Sequence, residues 1–158
     1  MKKSLTLAVA ALACAASATV AIAHHSFSMF DPAQEIVLEG KVVRWAFTSP
    51  HTFMIIEDAA GKVWAFEGAA PPALLARNPP MTGDTFKGGD PITVIMCPLR
   101  DGRAGGASGL FITADKAVYN PADAGCRANQ RIADWPAWIE KGYKSLADAE
   151  AAGEAKAQ

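Results

Sequence analysis

Beyond its first 23 residues, the chain lacks any run approaching the roughly 18 consecutive apolar residues that a membrane-spanning helix needs. It also lacks an excess of basic charge, with 15 lysines and arginines against 16 aspartates and glutamates. A nucleic-acid partner would require a concentrated positive face, because neutralised phosphates supply most non-specific affinity. The sequence therefore predicts neither a membrane span nor a nucleic-acid partner, and it leaves the oligomeric state open.

Motifs for common catalytic chemistries are missing as well. No serine has a histidine and an acid at a spacing that indicates a nucleophile, and no glycine-rich phosphate loop precedes a helix. The run from Gly102 to Gly109 is predicted to be a flexible turn between strands. Glu57, Asp58 and Glu67 lie on a predicted hairpin, where acids usually face solvent. These absences favour a binding protein over an enzyme.

The first 23 residues have the three parts of a secretory signal peptide. They are the basic pair Lys2 and Lys3, an apolar run from Leu5 to about Ala16, and the small-x-small site Ala21-Ile22-Ala23. Cleavage after Ala23 would leave 13 basic and 16 acidic residues in a periplasmic or secreted chain. A second interpretation is a lipoprotein box at Cys14, which would make that cysteine the N-terminus.

Cys97 and Cys126 are the two cysteines beyond this leader. An exported protein meets an oxidising compartment, where an even pair favours a disulfide over a metal site. In the chain-entropy treatment, closing a loop of this length stabilises a fold by about 3 to 5 kcal/mol. A Cys97 thiolate that binds copper is the alternative interpretation.

Apolar alternation and turn signals predict a mainly β domain. An arm over residues 24–34 leads into a long strand, Glu35 to Phe47, with a bulge or bend at Gly40. A hairpin over residues 51–67 follows, then a short proline-started helix at 71–77 and two strands at 91–97 and 109–118. Three strands, a short helix and two strands are the order of a small OB-like five-stranded barrel.

The same pattern divides the chain into three parts. They are a signal peptide at residues 1–23, an OB-like barrel domain at 24–122, and a helical, partly disordered tail at 123–158. Trp135 and Trp138 in the tail are predicted to cap one mouth of the barrel. From Glu150 the tail has few bulky apolar residues, which predicts disorder.

Two of the three histidines, His24 and His25, come directly after the predicted cleavage site. If His24 is the mature N-terminus, its α-amine and its own Nδ1 can close a chelate on one metal ion. The imidazole of His51 would complete three nitrogens in a roughly T-shaped plane, which suits Cu(II). His25 is the alternative imidazole, and Met29 could offer a thioether to Cu(I). Tandem histidines that bind no metal are the competing interpretation.

Six short segments carry a family resemblance. They are HHSFSMFD at residues 24–31, VLEGKV at 37–42, Trp45, SPH at 49–51, GDPITV at 89–94 and PLRDG at 98–102. Together they resemble an uncharacterised family of exported bacterial proteins, the domain of unknown function six-one-five-two, over about residues 24–119. Where the family usually has Asn-Pro-His, this chain has Ser49-Pro50-His51. The resemblance implies an exported OB-like small barrel without an established activity, and it puts His24, His25 and His51 in motif positions.

Two functions are therefore predicted. The first is a periplasmic metal-binding protein that holds copper through His24 and His51. The alternative is a metal-free OB-like module that binds a peptide, a glycan or another envelope protein. A copper-dependent redox enzyme is a third hypothesis, for which the sequence offers no aromatic substrate platform beyond the residues that the core requires.

Overall fold

The computed structural model describes residues 27–156, so the predicted signal peptide and the candidate ligands His24 and His25 lie outside the described residues. The strands are β1 (Ile36–Ala46), β2 (Thr52–Asp58), β3 (Val63–Gly68), β4 (Pro91–Pro98), β5 (Gly105–Thr113) and the short β6 (Val118–Tyr119). The helices are α1 (Pro71–Leu75), α2 (Trp135–Glu140) and α3 (Leu146–Ala151), and 3₁₀ turns form at Phe27–Met29 and Ala128–Arg131.

β1 is the strand on which the barrel turns its corner. Its residues 36–41 pair antiparallel with β4, and its residues 40–46 pair antiparallel with β2. The two pairings overlap at Gly40 and Lys41, where the sequence predicts the bend. The bulge itself comes later, as a register shift between Val42 and Arg44.

A parallel strand pair closes the barrel. Residues 65–67 of β3 pair with residues 105–107 of β5, which also runs antiparallel to β4. The strands thus follow one another round the ring as β1, β2, β3, β5 and β4. This confirms the predicted fold class, a mainly β OB-like barrel of five strands with a short helix between β3 and β4 and helices in the C-terminal tail.

The glycine-rich start of β5 belongs to the closing strand. A Cβ atom on Gly105 would lie 2.5 Å from the carbonyl oxygen of Ala65, and one on Gly106 would lie 2.2 Å from that of Cys97. The neighbouring strands come so close here that only glycine fits between them. The prediction of a flexible turn over residues 102–109 is therefore wrong from residue 105 onward.

Two buried clusters lie on opposite sides of the β4 and β5 surface. The barrel interior contains Met54, Ile56, Phe66, Ile92, Val94, Met96 and Phe111, among others. The outer cluster contains Val37, Ile95, Leu110 and Ile112 together with Trp135, Trp138, Leu146 and Ala149 of the tail. The tail therefore covers an outer face of the barrel, and the prediction that the two tryptophans cap a barrel mouth is wrong.

Covalent, ionic and backbone bonds join the tail to this face. Cys97 of β4 and Cys126 form the predicted disulfide. The amide N–H of Leu146 donates to the carbonyl oxygen of Glu35 at 2.8 Å. The Glu35 side chain is fully buried and accepts hydrogen bonds from Arg131 Nη1 at 2.5 Å and Trp135 Nε1 at 2.9 Å. The tail is thus an integral layer of the fold.

The region after Glu150, predicted to be disordered, continues this layer within the described residues. Helix α3 ends at Ala151, and beyond it the carboxylate of Glu154 accepts hydrogen bonds from Lys141 Nζ at 2.6 Å and Tyr143 OH at 3.1 Å. Over residues 27–156, no helix has the length and apolar character that crossing a membrane requires.

Candidate functional site

His51 lies immediately before β2, and the buried residue that follows it fixes the position of its backbone. The next residue, Thr52, is fully buried, and its hydroxyl donates to the carbonyl oxygen of Ala69 at 2.9 Å. Because successive side chains of a strand point to opposite faces, inward-facing Thr52 leaves His51 on the outside of the barrel. The imidazole is 28% exposed.

The carboxylate of Glu67 contacts the His51 ring through the pair Oε1 and Nδ1. Phe53 pairs with Glu67 across the β2–β3 hairpin, so His51 is the diagonal neighbour of Glu67 on the same outer face. A carboxylate at Nδ1 favours the tautomer with the proton on that nitrogen and orients the ring. Any further ligand of the ring would therefore meet Nε2.

The N-terminal arm reaches this histidine. The ring of Phe27, the first described residue, lies 6.4 Å from the His51 ring, centroid to centroid. Main-chain bonds fix the arm, because the carbonyl oxygen of Met29 accepts from the Arg100 amide at 2.9 Å and the Asp31 amide donates to the Pro98 carbonyl at 2.8 Å. The barrel thus sets the position at which the arm enters the site.

A groove of about 280 Å³ runs alongside, between the arm and the outer face of β3. We call it the Met29 groove. Its walls include Met29, Phe53, Ala65, Glu67, Leu99 and Arg103. Met29 and Phe53 are 40% and 38% exposed, respectively. Glu67 is therefore shared, since it touches His51 and also lines the groove.

The structure brings some of the predicted site residues together and leaves others undescribed. His51 contacts Glu67, and Met29 lines the same groove as Glu67, whereas His24 and His25 lie outside the described residues. Within residues 27–156, no group of three or more His, Cys, Asp and Glu side chains could hold a metal ion. The disulfide also leaves no thiolate at Cys97, so the thiolate interpretation is set aside.

Glu67 is the site residue whose role sequence reasoning missed. The three acids of the hairpin have different surroundings, and Glu57 is the exposed one. Hydrogen bonds from the Trp64 indole and from the Lys62 and Ala60 amides hold the pKa of Asp58 below its usual range, which marks it as a turn residue. The position of Glu67 could have been found from the turn. Asp58 pairs with Lys62, and counting outward from that pair places residue 67 opposite residue 53, two residues from His51.

Comparison with protein families gives a match to the model described as "Family of unknown function (DUF6152)", over residues 11–108. The chain belongs to this family. The match covers His24, His25, Met29, His51 and Glu67, and it ends within β5, so the tail that covers the outer face lies beyond it. No curated protein and no solved structure matched the chain. Family membership supports the predicted resemblance and carries no activity with it.

Proposed function

We propose that this chain is an exported, periplasmic copper-binding protein that serves metal handling rather than catalysis. In the mature chain, starting at His24, Cu(II) is held by the His24 α-amine, the His24 imidazole and the His51 imidazole. His25 is the alternative imidazole. Three nitrogens in a roughly T-shaped plane suit the tetragonal preference of Cu(II).

The observation that carries the proposal is the oriented imidazole of His51. Glu67 faces Nδ1, which leaves Nε2 for the metal, and a carboxylate behind a ligating imidazole is a common partner of metal sites in proteins. The ring directly precedes β2, a strand whose register is fixed on both sides, by β1 and by β3. Such a donor loses little conformational entropy when it binds an ion.

The arm supplies the second part of the argument. Phe27 lies next to His51, and His24 is three residues earlier in the chain. A three-residue segment spans at most about 11 Å, so covalent geometry allows the His24 amine to reach this ring. The lengths of chain involved therefore support a chelate between the mature N-terminus and His51.

The test is the intact mass and the N-terminal sequence of the exported protein, with and without added Cu(II). We expect a chain that begins at His24 and gains one copper ion. A chain that begins at a lipidated Cys14, or one that begins at His24 and retains no copper, would contradict the proposal.

Glu67 gives a finer prediction. Glu67→Gln should weaken Cu(II) binding about 10- to 100-fold, because the amide cannot hold the Nδ1 proton with a charged acceptor. Competition against a chelator of known affinity measures the change. Glu57→Gln is the matched control, since Glu57 is an exposed carboxylate on the same face of the same hairpin. Equal affinities of the two variants would rule out a role for Glu67.

A metal-free interaction module is the second candidate, and the outer face of β1, β2 and β3 favours it. Val43, Phe53 and Val63 are 50%, 38% and 51% exposed on these strands. Exposed apolar side chains on one sheet face suit a peptide, a glycan or another envelope protein. A melting temperature that stays unchanged with Cu(II), Zn(II) and Ni(II) would favour this candidate, because a specific ligand stabilises the folded state.

A further inference from the structure

Met29 differs from the other methionines that the structure describes. Met54, Met81 and Met96 are at most 1% exposed and fill the barrel interior, whereas Met29 is 40% exposed. A thioether in a core serves packing, and its flexible, polarisable chain fits irregular gaps. An exposed thioether lacks that role, and its sulfur is accessible from solvent to a soft metal ion.

The backbone of Met29 is fixed although its side chain is exposed. Its carbonyl oxygen accepts from the Arg100 amide at 2.9 Å. The next residue, Phe30, is 3% exposed and forms a β-bridge with Leu99. Anchors at and directly after Met29 therefore hold its backbone beside the Met29 groove, which its side chain lines.

The groove connects this sulfur to the proposed metal ligand. Glu67 lines the groove with Met29, and the same carboxylate contacts His51 Nδ1. Glu67 thus lies between the groove that Met29 lines and the imidazole of His51, and its negative charge favours a cation nearby. Thioether sulfur is a soft donor, and it selects Cu(I) over harder ions.

We propose that the Met29 thioether and Nε2 of the His51 imidazole bind a soft monovalent ion, Cu(I), beside the Met29 groove and near the negative charge of Glu67. This deepens the proposed function and rests on the same His51. The nitrogens of the mature N-terminus serve Cu(II), whereas Met29 gives the site a donor for the reduced ion. The protein would then hold copper in both oxidation states within one region.

Ag(I) is the probe for this site, because it is soft and monovalent and does not change its oxidation state during the titration. The mature chain, labelled with ¹³C at its methionine methyl groups, is titrated with Ag(I). We expect the Met29 resonance to shift, while the resonances of the three buried methionines act as internal controls. Met29→Leu and His51→Ala should each weaken Ag(I) binding by about ten-fold, which corresponds to about 1.4 kcal/mol.

A second chain form separates this proposal from the proposed function. It carries one extra alanine before His24, which removes the terminal chelate and leaves Met29 and His51 in place. Met29 should respond to Ag(I) in both forms, whereas the extended form should lose Cu(II) affinity. An unshifted Met29 resonance, or unchanged Ag(I) affinity of Met29→Leu, overturns the Met29 site even if Cu(II) binds. A Met29 response without Cu(II) binding supports this site and contradicts the terminal chelate.

Discussion

An extra alanine before His24 should lower the Cu(II) affinity of the mature chain by at least about 100-fold, or about 2.8 kcal/mol. The added residue converts the α-amine of His24 into a peptide nitrogen, so the three-nitrogen arrangement of one amine and two imidazoles loses its chelate. His51→Ala should have an effect of similar size, because it removes the nitrogen that the barrel holds in place. Chelator competition measures both affinities, and electron paramagnetic resonance reports the nitrogen ligands of Cu(II).

His25→Ala is the control for this prediction, since it removes the neighbouring imidazole and leaves the terminal amine and His51 intact. If His25→Ala alone abolishes binding, His25 is the imidazole ligand and the assignment of His24 has to change. If the extended chain binds Cu(II) as tightly as the native one, the terminal amine is not a ligand and the proposal fails.

The sequence was informative wherever one face of a strand meets the core and the other meets solvent. In β2, Thr52, Met54 and Ile56 are buried, and Phe53 and Glu57 on the opposite face are exposed. That period of two is the strand signal, and it is readable in the sequence because burial selects apolar side chains on one face. The β2–β3 hairpin could be predicted for this reason, whereas the short helix was indicated by its proline start and β4 by its β-forming residues between turn signals.

β5 lacked that signal for a physical reason. Its first eight residues are all buried, because the barrel interior lies on one side and the disulfide and the tail lie on the other. A strand covered on both faces shows no alternation, and its glycines look like a turn. The outer layer was missed because it depends on a tertiary contact. Nothing local in the sequence indicates that Trp135 meets β4 and β5 rather than a barrel mouth.

The candidate site likewise has parts that the local sequence predicts and parts that depend on tertiary contacts. His51 and Met29 could be selected from residue type and position, and Glu67 could be placed by counting pairs outward from the turn at Asp58. The Met29 groove could not be predicted, because it depends on how the arm docks beside Leu99 and Arg100, far along the chain. Local patterns therefore identify donors, whereas tertiary contacts decide which donors converge.

The second large effect concerns the attachment of the tail. Glu35→Ala should lower the free energy of unfolding by about 3 to 5 kcal/mol, because it leaves a buried partner without compensation. Glu35 is fully buried, and the Arg131 side chain that it pairs with is 14% exposed. Urea unfolding followed by tryptophan fluorescence measures the change, since Trp135 also donates to this carboxylate.

Glu39→Ala is the matched control, because Glu39 also links β1 to the tail through an ion pair, with Lys144 Nζ at 2.6 Å. Those two side chains are 59% and 62% exposed, so the loss should stay below about 1 kcal/mol. Similar losses in Glu35→Ala and Glu39→Ala would show that the buried pair does not hold the tail.

The buried carboxyl should also have a pH signature. Burial raises the pKa of Glu35 above its ordinary 4.5, against the opposing effects of the Trp135 hydrogen bond and the Arg131 charge. The folded state therefore keeps this proton to higher pH than the unfolded state, and the stability that Glu35 contributes falls as pH rises from about 4.5 through the raised pKa. Glu35→Gln cannot titrate, so the stability of the native protein relative to this variant should decline over that window. A relative stability that rises with pH would mean that Arg131, and not burial, dominates the pair.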